Sequence, residues 1–220
     1  MARPIQIAPS ILASDFGRLA DEIKDVASGG ADLIHVDVMD GTFVPNLTLG
    51  PDIVRSARKA TSLPIDVHMM VMQPERHIEA FAAAGADIIT VHAEATIHLQ
   101  RTLHAIRQLG KRAGVALNPH TSEHGLEYIL GDIDLILVLT INPGFSGQAF
   151  LPGVLPKISN IRQLVSTRDI SIEVDGGINT QTAQEVARAG ADILVTGAAV
   201  YGQPDRRKAI ATIRSAAEHR

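Results

Sequence analysis

By type and spacing, His35, Asp37, His68 and Asp175 are the side chains of this sequence best suited to chemistry. They fall at the ends of short apolar runs: Leu33-Ile34-His35-Val36-Asp37, Ile65-Asp66-Val67-His68 and Ile172-Glu173-Val174-Asp175. Such runs read as buried strands, and the strand period of two turns His35 and Asp37 to the same side. Two imidazoles and two carboxylates converging from three strand ends suit a divalent metal ion. The same carboxylates could carry protons. A lone histidine at a strand end is more often a hydrogen-bonded structural residue, which is how His92 reads, and an aspartate after a strand is commonly a helix cap. That bland reading weakens when all four side chains fall on one face of the fold.

The elements that must place them there are legible as a repeat. Gly30-Ala31-Asp32-Leu33-Ile34 recurs as Gly85-Ala86-Asp87-Ile88-Ile89 and as Gly190-Ala191-Asp192-Ile193-Leu194. In each, a helical pattern ends, glycine supplies the cap and an apolar strand follows. The spacings between the aspartates are near multiples of about 27 residues, one strand-helix unit with short loops. The pattern predicts strands near 5–9, 32–37, 64–69, 87–92, 114–118, 134–140, 170–175 and 192–196. Helices are expected near 16–28, 50–60, 75–84, 97–110, 122–130, 153–165, 180–189 and 205–217. Eight alternating units are what an α/β protein of the (β/α)8 TIM-barrel type requires. Alternation alone leaves an open doubly wound sheet as the alternative, and the count of eight favours the barrel. With no linker or shift in composition, residues 1–220 read as one barrel domain. The two longest connections, 39–49 and 141–152, fall on the C-terminal face, where barrel active sites are built.

Composition narrows the function. A net charge of −4 argues against general nucleic-acid binding, and the short basic cluster Arg206-Arg207-Lys208 reads as a solvated helix face. The absence of cysteine excludes disulfides and thiolate ligands, leaving nitrogen and oxygen for any metal. The first residues lack the apolar core of a signal peptide, and no run reaches the ~18 apolar residues of a membrane helix. A cytoplasmic protein without membrane or nucleic-acid partners is expected. Lys24, Lys59, Lys111, Lys157 and Lys208 all fall in or beside helical patterns, which argues against Schiff-base chemistry at a strand end.

A second signal follows strands 7 and 8, as Asp175-Gly176-Gly177 and Gly197-Ala198-Ala199. Loops at these positions of a barrel often bind phosphate through backbone N–H groups. Gly144 could add a third glycine to the cradle. Without Arg or Lys at these positions, amides and helix dipoles would hold the anion.

Five segments together resemble the ribulose-phosphate 3-epimerase family. They are Ala8-Pro9-Ser10-Ile11-Leu12-Ala13-Ser14-Asp15-Phe16, His35-Val36-Asp37-Val38-Met39-Asp40-Gly41, Asp66-Val67-His68-Met69-Met70, Asn142-Pro143-Gly144-Phe145 and Val174-Asp175-Gly176-Gly177-Ile178. The match runs in order over nearly the whole chain. The resemblance implies interconversion of D-ribulose 5-phosphate and D-xylulose 5-phosphate, in the pentose phosphate pathway and carbon fixation. It implies one divalent ion per chain (Zn2+, Fe2+, Mn2+ or Co2+) on His35, Asp37, His68 and Asp175, with Asp37 and Asp175 as the acid-base pair. It further implies Ser10, His68, Met39 and Met70 at the substrate, and Gly144, Phe145, Ser146, Gly147, Gly176, Gly177, Gly197 and Ala198 near its phosphate. A homo-oligomer is expected on the same ground. The chain departs from the family at Ser146, where glycine is frequent, and at Leu139, where methionine is.

The chemistry agrees. Removing the C3 proton of a 2-ketose near neutral pH needs stabilisation of an enediolate, which a metal can give as a Lewis acid. Inversion needs proton carriers on both faces of that plane, and Asp37 and Asp175 come from well-separated strands. An isomerase or epimerase of another sugar phosphate, such as a hexulose 6-phosphate, could use the same ligands. A non-catalytic metal- or phosphate-binding module is the alternative from another class, though two carboxylates exceed what phosphate capture requires.

Overall fold

The structure is a computed structural model and describes residues 3–145 and 147–219. Its eight strands are β1 (Gln6–Pro9), β2 (Ile34–Met39), β3 (Ile65–Met70), β4 (Ile88–His92), β5 (Arg112–Leu117), β6 (Leu135–Leu139), β7 (Ser171–Asp175) and β8 (Ile193–Thr196). All pair in parallel, in the order β1-β8-β7-β6-β5-β4-β3-β2. The seam between β1 and β2 is drawn together by the Ser10–His35 bridge and by the Asp32 N–H donating to the Ile7 carbonyl at 2.9 Å. The sheet is thus a nearly closed (β/α)8 barrel.

The described helices are α1 (Leu19–Ser28), α2 (Pro51–Ala60), α3 (Ile78–Ala84), α4 (Leu99–Gln108), α5 (Leu155–Val165), α6 (Thr180–Ala189), α7 (Ala198–Tyr201) and α8 (Arg206–Glu218). Local sequence sets their ends. Pro51 opens α2 at a position whose N–H has no partner within the helix. Asn179 and Thr182 form a reciprocal capping box on α6. The repeated glycines terminate helices in the left-handed region, at φ +101° for Gly30, +111° for Gly85 and +119° for Gly190. None of these helices is long and apolar enough to cross a membrane.

One expected helix is absent. The segment read as helical over 122–130 forms two 3-10 turns, His124–Tyr128 and Leu130–Asp132. Gly125 costs a helix about 1 kcal/mol relative to alanine, Gly131 follows the segment directly, and so short a stretch has little helix to offset the loss. The eighth unit carries two helices, α7 and α8. Strand β2 also begins at Ile34 rather than at 32, and Asp32 ahead of it takes the Ile7 N–H with its side chain.

Strands buried on both faces read as continuous apolar runs. Outward residues such as Val36, Val38, Val67 and Met69 pack under the helices in the larger core. Inside the barrel, Ala8, Leu33, Ile88, Ala116, Leu135, Leu137, Leu139, Ile193 and Val195 form a second core. The interior is lopsided: β5 and β6 fill it with small and aliphatic residues, whereas β2, β3 and β7 supply polar ones.

The repeated aspartates hold the opposite end of the barrel. Asp32, Asp87, Asp134 and Asp192 precede the even-numbered strands, and each accepts a backbone N–H from the strand before. The donors are Ile7 at 2.7 Å, Ile65 at 2.8 Å, Ala113 at 2.8 Å and Ile172 at 3.0 Å. Each also faces an arginine, in turn Arg214, Arg58, Arg107 and Arg162. Asp134 is the fourth member, outside the Gly-Ala-Asp pattern.

These clasps differ in burial. The Asp192 side chain is 5% exposed and that of Asp87 45%. Asp192→Ala leaves the Ile172 N–H without its acceptor and Arg162 with only the Gly190 carbonyl in place of its carboxylate partner, and a loss of about 3 kcal/mol is expected. Asp87→Ala should cost about 1–2 kcal/mol. Urea unfolding of both variants checks the order, and equal losses would show that burial does not set the strength of the clasp.

Candidate active site

Register brings the polar strand residues together. On the paired strands β2 and β3, His35 lies beside Asp66 and Asp37 beside His68, while β7 contributes Glu173 and Asp175 from across the barrel. His35, Asp66, His68, His92 and Glu173 are fully buried and Asp37 is nearly so. Asp37 Oδ1 lies 3.1 Å from His68 Nδ1 and 3.4 Å from His35 Nε2, and Asp175 Oδ2 lies 3.9 Å from His68 Nδ1. One ligand atom from each of His35, Asp37, His68 and Asp175 falls within 4.8 Å of all the others.

A divalent ion fits this donor set. His35 Nδ1 is taken by Asp66 Oδ2 at 2.7 Å, so the imidazole turns Nε2 toward Asp37 and Asp175. That nitrogen is buried and has no hydrogen-bond partner, an arrangement that a cation would satisfy. Two nitrogens and two carboxylate oxygens suit Zn2+, Fe2+, Mn2+ or Co2+.

The electrostatics split the carboxyl groups. Burial alone would raise the pKa of Asp37, but the charge and hydrogen bond of His35 foremost, with the His68 imidazole beside it, override that and hold the group well below the usual carboxylate range. Burial, reinforced by the charge of Asp37, pushes Asp175 up to about 6. Burial opposes protonation of His35, yet Asp37 and Asp66 raise its pKa well above the ordinary value. Glu173, in the layer below, is pushed up to about 8 by burial and by neighbouring Asp66. Two carboxyl groups whose environments drive their proton affinities apart are equipped for acid-base work.

Above this cluster opens a cavity of about 480 Å³, lined by Ser10, Asp37, Asp175 and the expected glycines among others. Ser10 donates its hydroxyl to Asp37 Oδ2 at 2.5 Å. Met39 and Met70 pack with Val44, Leu12 and Phe43 on one wall, and Leu139 lines the cavity as well. Gly144, Phe145, Gly147, Gly176, Gly177, Gly197 and Ala198 all face the same space. Ser146 lies outside the described residues. No lysine or arginine is among the described lining residues. His68 sits beneath the cavity rather than on its wall.

Three residues of this cluster escape a reading of strand ends. Asp66 and Glu173 fall two positions before His68 and Asp175, so the period of two alone places them on the same inward side. His92 is hydrogen-bonded, as a structural histidine would be, but one of its partners is His68, with the two Nε2 atoms 2.9 Å apart.

Fold and cluster together describe a (β/α)8-barrel enzyme with paired carboxylates at the C-terminal mouth. In architecture the chain is similar to the crystal structure of KGPDC from Streptococcus mutans, with a TM-score of 0.73 over 99% of both chains at 13% identity. Sequence narrows the class. The chain belongs to the ribulose-phosphate 3-epimerase family, whose model matches residues 6–201, and it is therefore an isomerase of the epimerase type. It is 56% identical to the ribulose-phosphate 3-epimerase of Bacillus subtilis, over 96% of this chain and 98% of that one. To the enzyme of the same name from Synechocystis it is 52% identical, over 98% and 95%.

The glycines of the cavity wall are not equivalent. Gly177 has φ +67°, and a Cβ there would lie 3.1 Å from the Phe150 backbone nitrogen. Gly197 lies outside the left-handed region, and its added Cβ would meet only Ala13 Cβ, at 3.5 Å. Gly177→Ala should therefore destabilise the protein by about 1–3 kcal/mol, and Gly197→Ala by no more than about 0.5 kcal/mol. Denaturant unfolding measures both, and equal losses would rule out backbone strain as the reason for glycine at 177.

Proposed function

We propose that the chain is a metal-dependent 3-epimerase that interconverts D-ribulose 5-phosphate and D-xylulose 5-phosphate. The observation that carries this reading is the approach of Asp37 on β2 and Asp175 on β7 to one another at the floor of a single cavity, beside His35 and His68. The names of the relatives that match nearly the whole chain support the choice of substrate. His35, Asp37, His68 and Asp175 would hold the divalent ion, which when bound supplies Lewis-acid stabilisation of negative charge developing on the substrate oxygens.

The remaining work falls to the protein. Asp37 takes the C3 proton from one face of the ketose, and Asp175 returns a proton to the other, giving inversion. In the reverse direction the two exchange roles. Ser10 steadies Asp37 through its hydrogen bond to Oδ2. Met39, Met70 and Leu139 make the wall beside the reacting carbons apolar and exclude water. The backbone around Gly144, Gly147, Gly176, Gly177, Gly197 and Ala198 receives the phosphate without a cationic side chain, and binding energy from that remote group orients C3 between the carboxylates. The reading takes the chain as one domain over 1–220 that self-associates in the cytoplasm.

Stripping the protein with a strong chelator should abolish turnover, and one equivalent of a divalent ion should restore it. Asp37→Asn and Asp175→Asn, each measured with its metal content, should lower kcat/KM by about 10²–10⁴-fold. In heavy water the wild-type product should carry solvent deuterium at C3. Near-wild-type epimerisation by metal-loaded Asp175→Asn would remove β7 from the reaction, and full activity in metal-free protein would remove the ion.

A further inference from the structure

We propose that His92 and Glu94 are positioning residues, which hold His68 in the one tautomer that turns its Nδ1 lone pair toward Asp37 and Asp175. The inference rests on the metal-dependent reading above and assigns a role to two residues outside the ligand set.

The argument runs inward from the rim. Glu94 lies in the turn Ala93–Ala95, directly after β4. Its Oε1 accepts the Asn118 N–H at 2.9 Å and the Thr121 hydroxyl. Its Oε2 faces His92 Nδ1 at 3.1 Å. Burial opposes ionisation of Glu94, but the bonds from His92, Thr121 and Asn118 hold its carboxyl down to about 2. A carboxylate only accepts, so His92 Nδ1 carries the proton. The His92 ring is fully buried, with Phe43 packed on it at 4.6 Å between ring centroids. As a neutral ring it has its one proton at Nδ1, which leaves Nε2 as an acceptor.

That acceptor lies 2.9 Å from His68 Nε2, so His68 must donate there. Its own proton is then spent on His92, and Nδ1 is left as a lone pair. This nitrogen faces Asp37 Oδ1 at 3.1 Å and Asp175 Oδ2 at 3.9 Å. An acceptor set among acceptors calls for a cation between them. His35 reaches the same centre by the opposite nitrogen, since Asp66 fixes its Nδ1 and leaves Nε2. One imidazole is oriented by a carboxylate directly. The other is oriented by a carboxylate acting through a second imidazole.

Glu94→Gln tests this with an isosteric change. The two donors on Oε1 pin the amide oxygen in its place, so the NH2 group occupies the position of Oε2. His92 must then accept at Nδ1 and carry its proton on Nε2, opposed to the Nε2–H of His68. Titrating the metal-stripped full chain with Co2+ should show affinity about 10–100-fold weaker in Glu94→Gln than in wild type, with an altered visible spectrum. His92→Phe should show a similar loss. His92→Gln, which keeps an acceptor toward His68 and a donor toward Glu94, should recover most of it. In Zn2+-loaded wild type, 15N NMR should place the shared proton on His68 Nε2 with a coupling across the bond to His92 Nε2. Unchanged Co2+ affinity and spectrum in Glu94→Gln, or a shared proton residing on His92, would overturn the relay while leaving the metal reading intact. Wild-type protein that binds neither ion would overturn both.

Discussion

Burial of excess negative charge is the constraint on which this structure turns. Asp37, Asp66, Glu173 and Asp175 point into one sector of the barrel interior, with the imidazoles of His35 and His68 set among them. Isolated ionised carboxylates are too costly to bury without partners. The protein answers partly with protons, as the raised Asp175 and Glu173 show. It answers partly with hydrogen bonds, as Ser10 does for Asp37. His35 Nε2, Asp66 Oδ1 and both oxygens of Glu173 are left without a hydrogen-bond partner, and of these His35 Nε2 lies beside Asp37 at the floor of the cavity. A cation placed there would reduce the repulsion among the very groups to which the proposed reaction falls.

The rest of the barrel can be read as the support for that sector. An interior lined throughout by ionisable groups would have no packed centre. Here β5, β6 and β8 supply Ala116, Leu135, Leu137, Leu139, Ile193 and Val195, a rigid apolar side against which β2, β3 and β7 hold their polar one. Outward residues of the polar strands stay aliphatic, so each strand docks its helices as firmly as any other. Gly114 shows how tight the interior is, since a Cβ there would fall 2.1 Å from Thr90 Oγ1.

Much of this was legible in the residues, for identifiable reasons. Alternation of strand and helix gave all eight strands because buried parallel strands leave unbroken apolar runs, and the Gly-Ala-Asp repeat marked helix ends because those glycines adopt a conformation other residues resist. The segment 122–130 departs from its reading because its apolar spacing suits a helix while Gly125 within it and Gly131 just after it do not. The four side chains at strand ends do meet, since β2 and β7 both face the barrel axis. Asp66, Glu173 and the pairing of His92 with His68 were not read out, although the first two follow from the same period that joins His35 to Asp37. The His92 contact depends on the stagger between β3 and β4, which no single strand reveals.

The aspartate clasps have a property of a different order. Each arginine comes from the helix that precedes an odd-numbered strand, and each aspartate precedes the next even-numbered one: Arg58 with Asp87, Arg107 with Asp134, Arg162 with Asp192. The fourth pair obeys the same rule only if the polypeptide is treated as a ring, because Arg214 on the final helix serves Asp32 ahead of the second strand. Topologically the barrel is a cycle of four equivalent quarters with no first member, and the break in the backbone between α8 and β1 is invisible to the contacts that hold that end together.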